Sequence, residues 1–155
     1  MRRWCLLALL LLAAGCGGSA EATPTRAEFI SQGDAVCAQT QQELRAVLAR
    51  AQSARSMPQG ADVNVLMGIW EDQVDLHKEF VADMKAIGTP VGDEVADGLI
   101  ASLDYGLDLA EDVQDALDDR DAAAIATALP AYLNLTATLN MRLVAYGFRR
   151  CGATA

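Results

Sequence analysis

His77 is the only histidine in the 155-residue chain, and it is the natural place to look for chemistry. It falls in the middle of an apolar stripe formed at helical spacing by Val63, Leu66, Trp70, Val74, Val81 and Met84. An imidazole on such a face needs a hydrogen-bond partner, and Tyr105, Tyr132 or Thr40 could supply one. The competing use is ligation: a metal or haem bundle with a core pocket around Trp70, His77 and Tyr132. A haem would need a second axial ligand from another helix. Met141 is the only helical methionine outside the His77 segment, and it falls nearly opposite the inner stripe of its own helix. There is no C-x-x-C-H attachment motif, and one histidine excludes His-rich zinc and iron centres. A satisfied core histidine, with no metal and no cofactor, is therefore the expectation.

The second chemical feature is acidic. Residues 91–121 hold 11 of the 21 Asp and Glu residues against a single base, Arg120. At ~100° per residue, Asp93, Glu94, Asp97, Asp104, Asp108, Glu111, Asp112, Asp115, Asp118 and Asp119 share ~120° of one helix face. Such a face keeps a protein soluble. It is also a candidate surface for a divalent cation or a basic envelope partner, centred on Asp104, Asp108, Glu111, Asp112 and Asp115. Ser31, Ser53, Ser56 and Ser102 have only His77 as a base, and clustered carboxylates on a wet face lack the dry cleft that separates pKa values. No catalytic residue is assigned, and the chain is not expected to be an enzyme. An excess of 21 acids over 12 bases argues against nucleic acid.

Four helices must position these residues. The chain is one domain in length, only 5% aromatic and contains 29 alanines, which favours close helix packing over a sheet. Thr25 and Glu28 form a capping box. Helix 1 then runs to about Arg55 with Phe29, Ile30, Gly33, Val36, Cys37, Thr40, Leu44, Val47, Leu48 and Ala51 inward. Asp62 caps helix 2, which stops before Gly88-Thr89-Pro90. Helix 3 is expected to begin at Pro90 with Thr89 as cap, turning Val91, Val95, Leu99, Gly106, Ala110, Val113 and Leu117 inward. Gly98 and Gly106 suggest a close approach by a neighbouring helix. Asp121 caps helix 4, whose inner stripe is Ile125, Ala128, Tyr132, Leu135, Leu139, Leu143 and Tyr146, and Pro130 either kinks it or starts its main segment. Four such helices on short loops predict an all-α, antiparallel, up-down-up-down four-helix bundle over residues 26–152.

The N-terminus reads as an address. Arg2 and Arg3 precede an apolar run, Trp4 to Ala14, too short for the ~20 residues that cross a bilayer. It ends Leu12-Ala13-Ala14-Gly15-Cys16, which resembles the lipobox of bacterial lipoproteins. The resemblance implies cleavage of residues 1–15, diacylglycerol on Cys16 and a membrane partner reached through that lipid. Ala13, where that family more often has Leu, is a departure. Residues 16–25 then form a flexible tether. Export would place the protein on the outer face of the cell membrane with ten bases against 21 acids, a charge of −11. Cys37 and Cys151 remain as an even pair. In an exported chain that predicts a disulfide, the alternatives being two free thiols or a Cys/His metal site. If the pair bonds, the first turns of helix 1 are expected to overhang the end of helix 4.

Phe29-Ile30-x-x-x-Asp34-x-x-Cys37 near the start and Tyr146-Gly147-x-x-x-Cys151-Gly152 near the end resemble a loose group of small lipoproteins and secreted proteins of high-GC Gram-positive bacteria. The resemblance covers only the two ends and implies the bundle and its terminal disulfide, without an activity. The function expected is a non-enzymatic binding or structural module of the cell envelope. The alternative is a small-molecule or metal/haem-binding bundle with its pocket at His77.

Overall fold

A computed structural model describes residues 23–56 and 62–152. The expected signal peptide, the lipidated Cys16 and the tether as far as residue 22 lie outside the described residues. Four helices follow in order: α1, Arg26–Arg55; α2, Val63–Ile87; α3, Glu94–Asp118; and α4, Ala122–Tyr146. They form the antiparallel four-helix bundle, and no strand occurs among the described residues.

The helix starts follow from side chains that satisfy free amides. Thr25 and Glu28 form the capping box on α1, Asp62 accepts from Asn64 N–H on α2, and Asp121 accepts from Ala123 and Ala124 N–H on α4. α4 runs continuously through Pro130, so the proline does not begin a separate helix.

α3 starts four residues later than the sequence suggested, at Glu94 and not at Pro90. Its N-cap is Asp93, not Thr89, and Pro90 lies in a turn whose Gly92 has φ of 73°. A left-handed residue cannot sit inside a helix. The Asp93 carboxylate takes the Ala96 N–H at 3.0 Å and the Tyr146 hydroxyl at 2.6 Å, a better cap than Thr89, whose hydroxyl donates to Asp97 instead. Because Val91 precedes the helix, it is exposed, and Val95 faces solvent on the first turn. Val63, Leu66 and Leu48, also expected inside, are exposed at the end of the bundle where α1 finishes and α2 begins. Leu103, Ala96, Leu109 and Ala116 of α3 are buried in their place.

α1 packs on α2, α2 on α3 and α3 on α4, but no Cα of α1 comes within 8 Å of one of α4. The chain after α4 accounts for part of the gap. Helix 1 does not overhang helix 4. Instead, α4 ends level with the first turn of α1, where the Arg26 guanidinium donates to the Tyr146 carbonyl at 2.7 Å and lies over the Tyr146 ring. Gly147, at φ of 122°, reverses the chain, and residues 148–152 run back along α1 between the two helices. Phe148 packs edge-on against Phe29, and Cys151 meets Cys37 with Cα atoms 5.2 Å apart in the disulfide. On the other side Gly152 lies so close to α4 that a Cβ would come within 2.5 Å of the Asn140 carbonyl oxygen. This returning segment wedges α1 from α4 at one end of the bundle.

Candidate functional site

Beyond the wedge, the separation of α1 from α4 leaves a cleft of about 280 Å³. Leu44, Leu76, Phe80, Leu103, Leu135 and Leu139 supply its apolar wall, and the Cys37–Cys151 disulfide and Gly152 border one end. Among them stand Thr40, Gln41, Gln73, His77, Tyr132 and Asn140. No Asp, Glu, Lys or Arg borders the cleft among the described residues.

His77 comes from the middle of α2, and α3 admits its ring at Gly106. A Cβ built on Gly106 would stand 3.5 Å from His77 Cε1. The imidazole lies 6.2 Å from the Tyr132 ring and 6.4 Å from Phe80, centre to centre. Its Nδ1 is buried and is the one buried side-chain nitrogen or oxygen without a hydrogen-bond partner among the described residues. The expected satisfied histidine is therefore not found. Tyr105 is exposed on the outside of α3, and the Thr40 hydroxyl donates to the Val36 carbonyl of its own helix at 3.1 Å. Burial pushes the His77 pKa down, since a charged ring loses its hydration there, and the ring is neutral at pH 7. Burial likewise pushes the Tyr132 phenol up, with Gln73 and Thr136 hydrogen bonds opposing the shift.

Of the three residues assigned to a pocket, His77 and Tyr132 do line the cleft. Trp70 stands behind them. Its ring packs edge-on against Tyr132 at 5.5 Å and its Nε1–H donates to the Ala110 carbonyl at 3.2 Å, half-buried against the core formed by Val74, Leu109, Ala110, Val113 and Tyr132. Met141 is exposed on the outside of α4. No group of three His, Cys, Asp or Glu side chains among the described residues is arranged to hold a metal ion.

The acidic face of α3 divides in two. Asp104 pairs with Lys85 of α2 at 2.8 Å and Glu111 with Lys78 at 3.2 Å, so these two close the α2–α3 seam. Asp108, Asp112 and Asp115 are exposed on the outer side and pair with no Lys or Arg among the described residues. The hydroxyls of Ser53, Ser56 and Ser102 donate to carbonyls of their own helices, and none bonds to His77.

Two features escaped the sequence reading. One is the cleft itself, which depends on α1 and α4 failing to meet. The other is the outside of α4. Ala126, Pro130, Leu133, Ala137, Met141 and Val144 are all exposed and lie along one line of the helix, and residues 122–155 contain no acid at all. The Leu, Met and Val positions of that stripe carried a detectable signal, because helix 4 is apolar on more than one face.

No protein-family model, curated protein or solved structure matches this chain.

Proposed function

We propose that this protein is an exported, lipid-anchored, non-enzymatic binding module of the cell envelope that takes a small, largely apolar molecule into the cleft between α1 and α4. The observation that carries the reading is the cleft. Its volume of about 280 Å³ is close to the lower end of the ~300–1,000 Å³ range of ligand sites, and its apolar wall with a few converging polar groups is the usual composition of such sites. The disulfide suits an oxidising compartment outside the cytoplasm. The lipobox-like run ending at Cys16 supports tethering to the membrane, where apolar molecules concentrate. Two groups of polar side chains, Gln73 with Tyr132 and Thr136, and Asn140 beside the wedge, would orient a ligand without doing chemistry on it.

The test is titration with N-phenyl-1-naphthylamine, an uncharged probe that fluoresces in apolar surroundings. The protein should give saturable, blue-shifted emission. Thr40→Trp places an indole at the cleft and should abolish saturation while leaving the circular dichroism spectrum and Tm unchanged. Equal binding by the protein and this variant would exclude the cleft as the site.

A further inference from the structure

Resting on the lipid anchor of the reading above, we infer that the outer face of α4 is a second membrane contact. The helix lies flat on the bilayer to which Cys16 is tethered, with Leu133, Met141 and Val144 dipped between the headgroups. Charge is the first observation. Among its 25 residues α4 carries a single charged side chain, Arg142, against seven in α1, seven in α2 and eight in α3. Residues 122–141 hold none. A core helix can be that apolar because its neighbours cover it. α4 is not covered: an 18-residue stretch of it reaches a mean hydropathy of 1.3, yet only 11% of that stretch is buried. Leu133, Met141 and Val144 are 55%, 67% and 53% exposed, on the line that also carries Ala126, Pro130 and Ala137. A helix apolar on all sides calls for apolar surroundings on all sides, and the bundle supplies them on one. Tyr132, Leu139, Leu143 and Tyr146 keep that inner side in the core, so α4 can lie on a bilayer without crossing it.

The occupant follows from where the tether leaves. The Arg26 guanidinium donates to the Tyr146 carbonyl, so the start of α1 and the end of α4 are at the same end of the bundle. Cys16 is ten positions before Arg26. Ten residues span at most ~33–36 Å, about the ~37 Å length of α4 itself. An acyl group on Cys16 thus keeps the end of α4 within one helix length of the bilayer, where a contact too weak to form from solution becomes intramolecular. Charge complementarity selects the same face. Residues 122–155 contain three arginines, Arg142, Arg149 and Arg150, and no acid. Arg149 and Arg150 are exposed at the end from which the tether leaves, where anionic headgroups attract them. The outer side of α3, with Asp108, Asp112 and Asp115 exposed, would be repelled by those headgroups.

The test uses the lipidated protein, purified from a bacterial host that exports and acylates it and reconstituted into vesicles of phosphatidylcholine with phosphatidylglycerol. With Cys5 cleaved off, Cys16 acylated and Cys37 bonded to Cys151, an introduced cysteine is the one thiol open to a nitroxide label. The label on Leu133→Cys should be accessible to oxygen and shielded from a water-soluble nickel chelate, at a depth of ~5–10 Å. The label on Asp112→Cys should show the reverse. Adding Met141→Asp, at an exposed position, should return the Leu133→Cys label to water without changing the circular dichroism spectrum. Flotation with the vesicles checks the anchor separately. A Leu133→Cys label as open to the chelate as the Asp112→Cys label, in protein that floats, would overturn the α4 contact and leave the anchor standing. Protein that does not float would remove the anchor, and this inference with it. Shielding accompanied by spin–spin broadening that disappears on mixing with unlabelled protein would give the face to a second copy of the chain instead.

Discussion

Asp34 Oδ1 accepts the backbone N–H of Arg150 at 2.7 Å, joining positions 116 residues apart. The same carboxylate receives the N–H groups of Arg149 at 3.0 Å and Cys151 at 3.3 Å. Three successive amides of the returning segment thus converge on one side chain of α1, much as the first amides of a helix converge on an N-cap. Asp34 lies between Phe29 and Cys37, and each of these also meets the C-terminal segment, Phe29 through Tyr146 and Phe148 and Cys37 through Cys151. The motif residues at the two ends of the chain are one clasp.

Asp34→Ala should therefore cost about 2 kcal/mol, because hydrogen bonds to a charged group are worth more than neutral ones but water reaches this exposed side of the clasp. Asp34→Asn should cost about half as much, keeping a carbonyl acceptor while losing the charge. Urea unfolding curves compared at constant m-value measure both. Equal stability of Asp34→Ala and the unaltered protein would mean that solvent replaces the carboxylate completely.

The disulfide acts on the same clasp by a different route. It spans a sequence separation of 114, for which chain-entropy arguments give about 4–5 kcal/mol from restriction of the unfolded chain. That is a large fraction of the 5–15 kcal/mol that holds an ordinary domain together. Cys37→Ser with Cys151→Ser should lower the urea midpoint sharply. It should also weaken binding of an apolar probe, since the disulfide borders one end of the cleft. Loss of stability without loss of probe binding would show that the hydrogen bonds of Asp34 and Gln41 hold the wedge in register unaided.

Two glycines give opposite predictions from the same substitution. At Gly33 of α1 a Cβ would stand 2.5 Å from Phe148 Cε1 and 3.2 Å from Met84 Cε, both side chains being buried in the core. Gly33→Ala should push Phe148 out of place and destabilise by about 1–3 kcal/mol. At Gly106 the nearest atoms, His77 Cε1 at 3.5 Å and Leu135 Cδ2 at 3.6 Å, leave room for a methyl group. Gly106→Ala should stabilise by up to ~1 kcal/mol, the gain in helix propensity. Differential scanning calorimetry on the pair reads both signs.

The helices were legible in the sequence because their signals are local. Thr25, Asp62 and Asp121 each sit where a cap is needed, and the stripes through Val74, Leu99 and Leu139 keep their period over several turns. The start of α3 was not, because Thr89 and Asp93 both suit a cap locally and Asp93 gains in addition the Tyr146 hydroxyl from the far end of the chain. Val63 and Leu66 satisfy the helical period yet are exposed, since periodicity gives a face and not the extent of the neighbour that covers it. His77 was recognised as the notable polar group on an apolar face. Its missing partner was invisible, because helical periodicity does not show that the Thr40 hydroxyl turns back to the Val36 carbonyl of its own helix or that Tyr105 lies outside.

The orphaned imidazole also fixes how stability responds to acid. An exposed histidine titrates near pH 6.5, whereas burial lowers the value for His77 in the folded protein. Below pH 6.5 the unfolded chain therefore binds a proton that the folded protein refuses, and stability falls as pH falls from 6.5 toward the lowered folded value. The slope is at most about 1.4 kcal/mol per pH unit for one proton. Well above pH 6.5, where the unfolded imidazole has also lost its proton, both states are neutral at this position and His77 contributes no slope. Carboxylates add their own losses at lower pH, so the histidine component is isolated by difference. His77→Phe should flatten the curve between pH 6.5 and 5 and leave the region above 7 parallel to the unaltered protein. It should also raise stability at pH 7.5 by about 1–2 kcal/mol, because a ring of similar shape removes an unpaired buried nitrogen. Urea unfolding at half-unit intervals from pH 5 to 8 provides the two curves. Curves that remain parallel down to pH 5 would show that Nδ1 is hydrated in solution and that the imidazole titrates as an exposed one does.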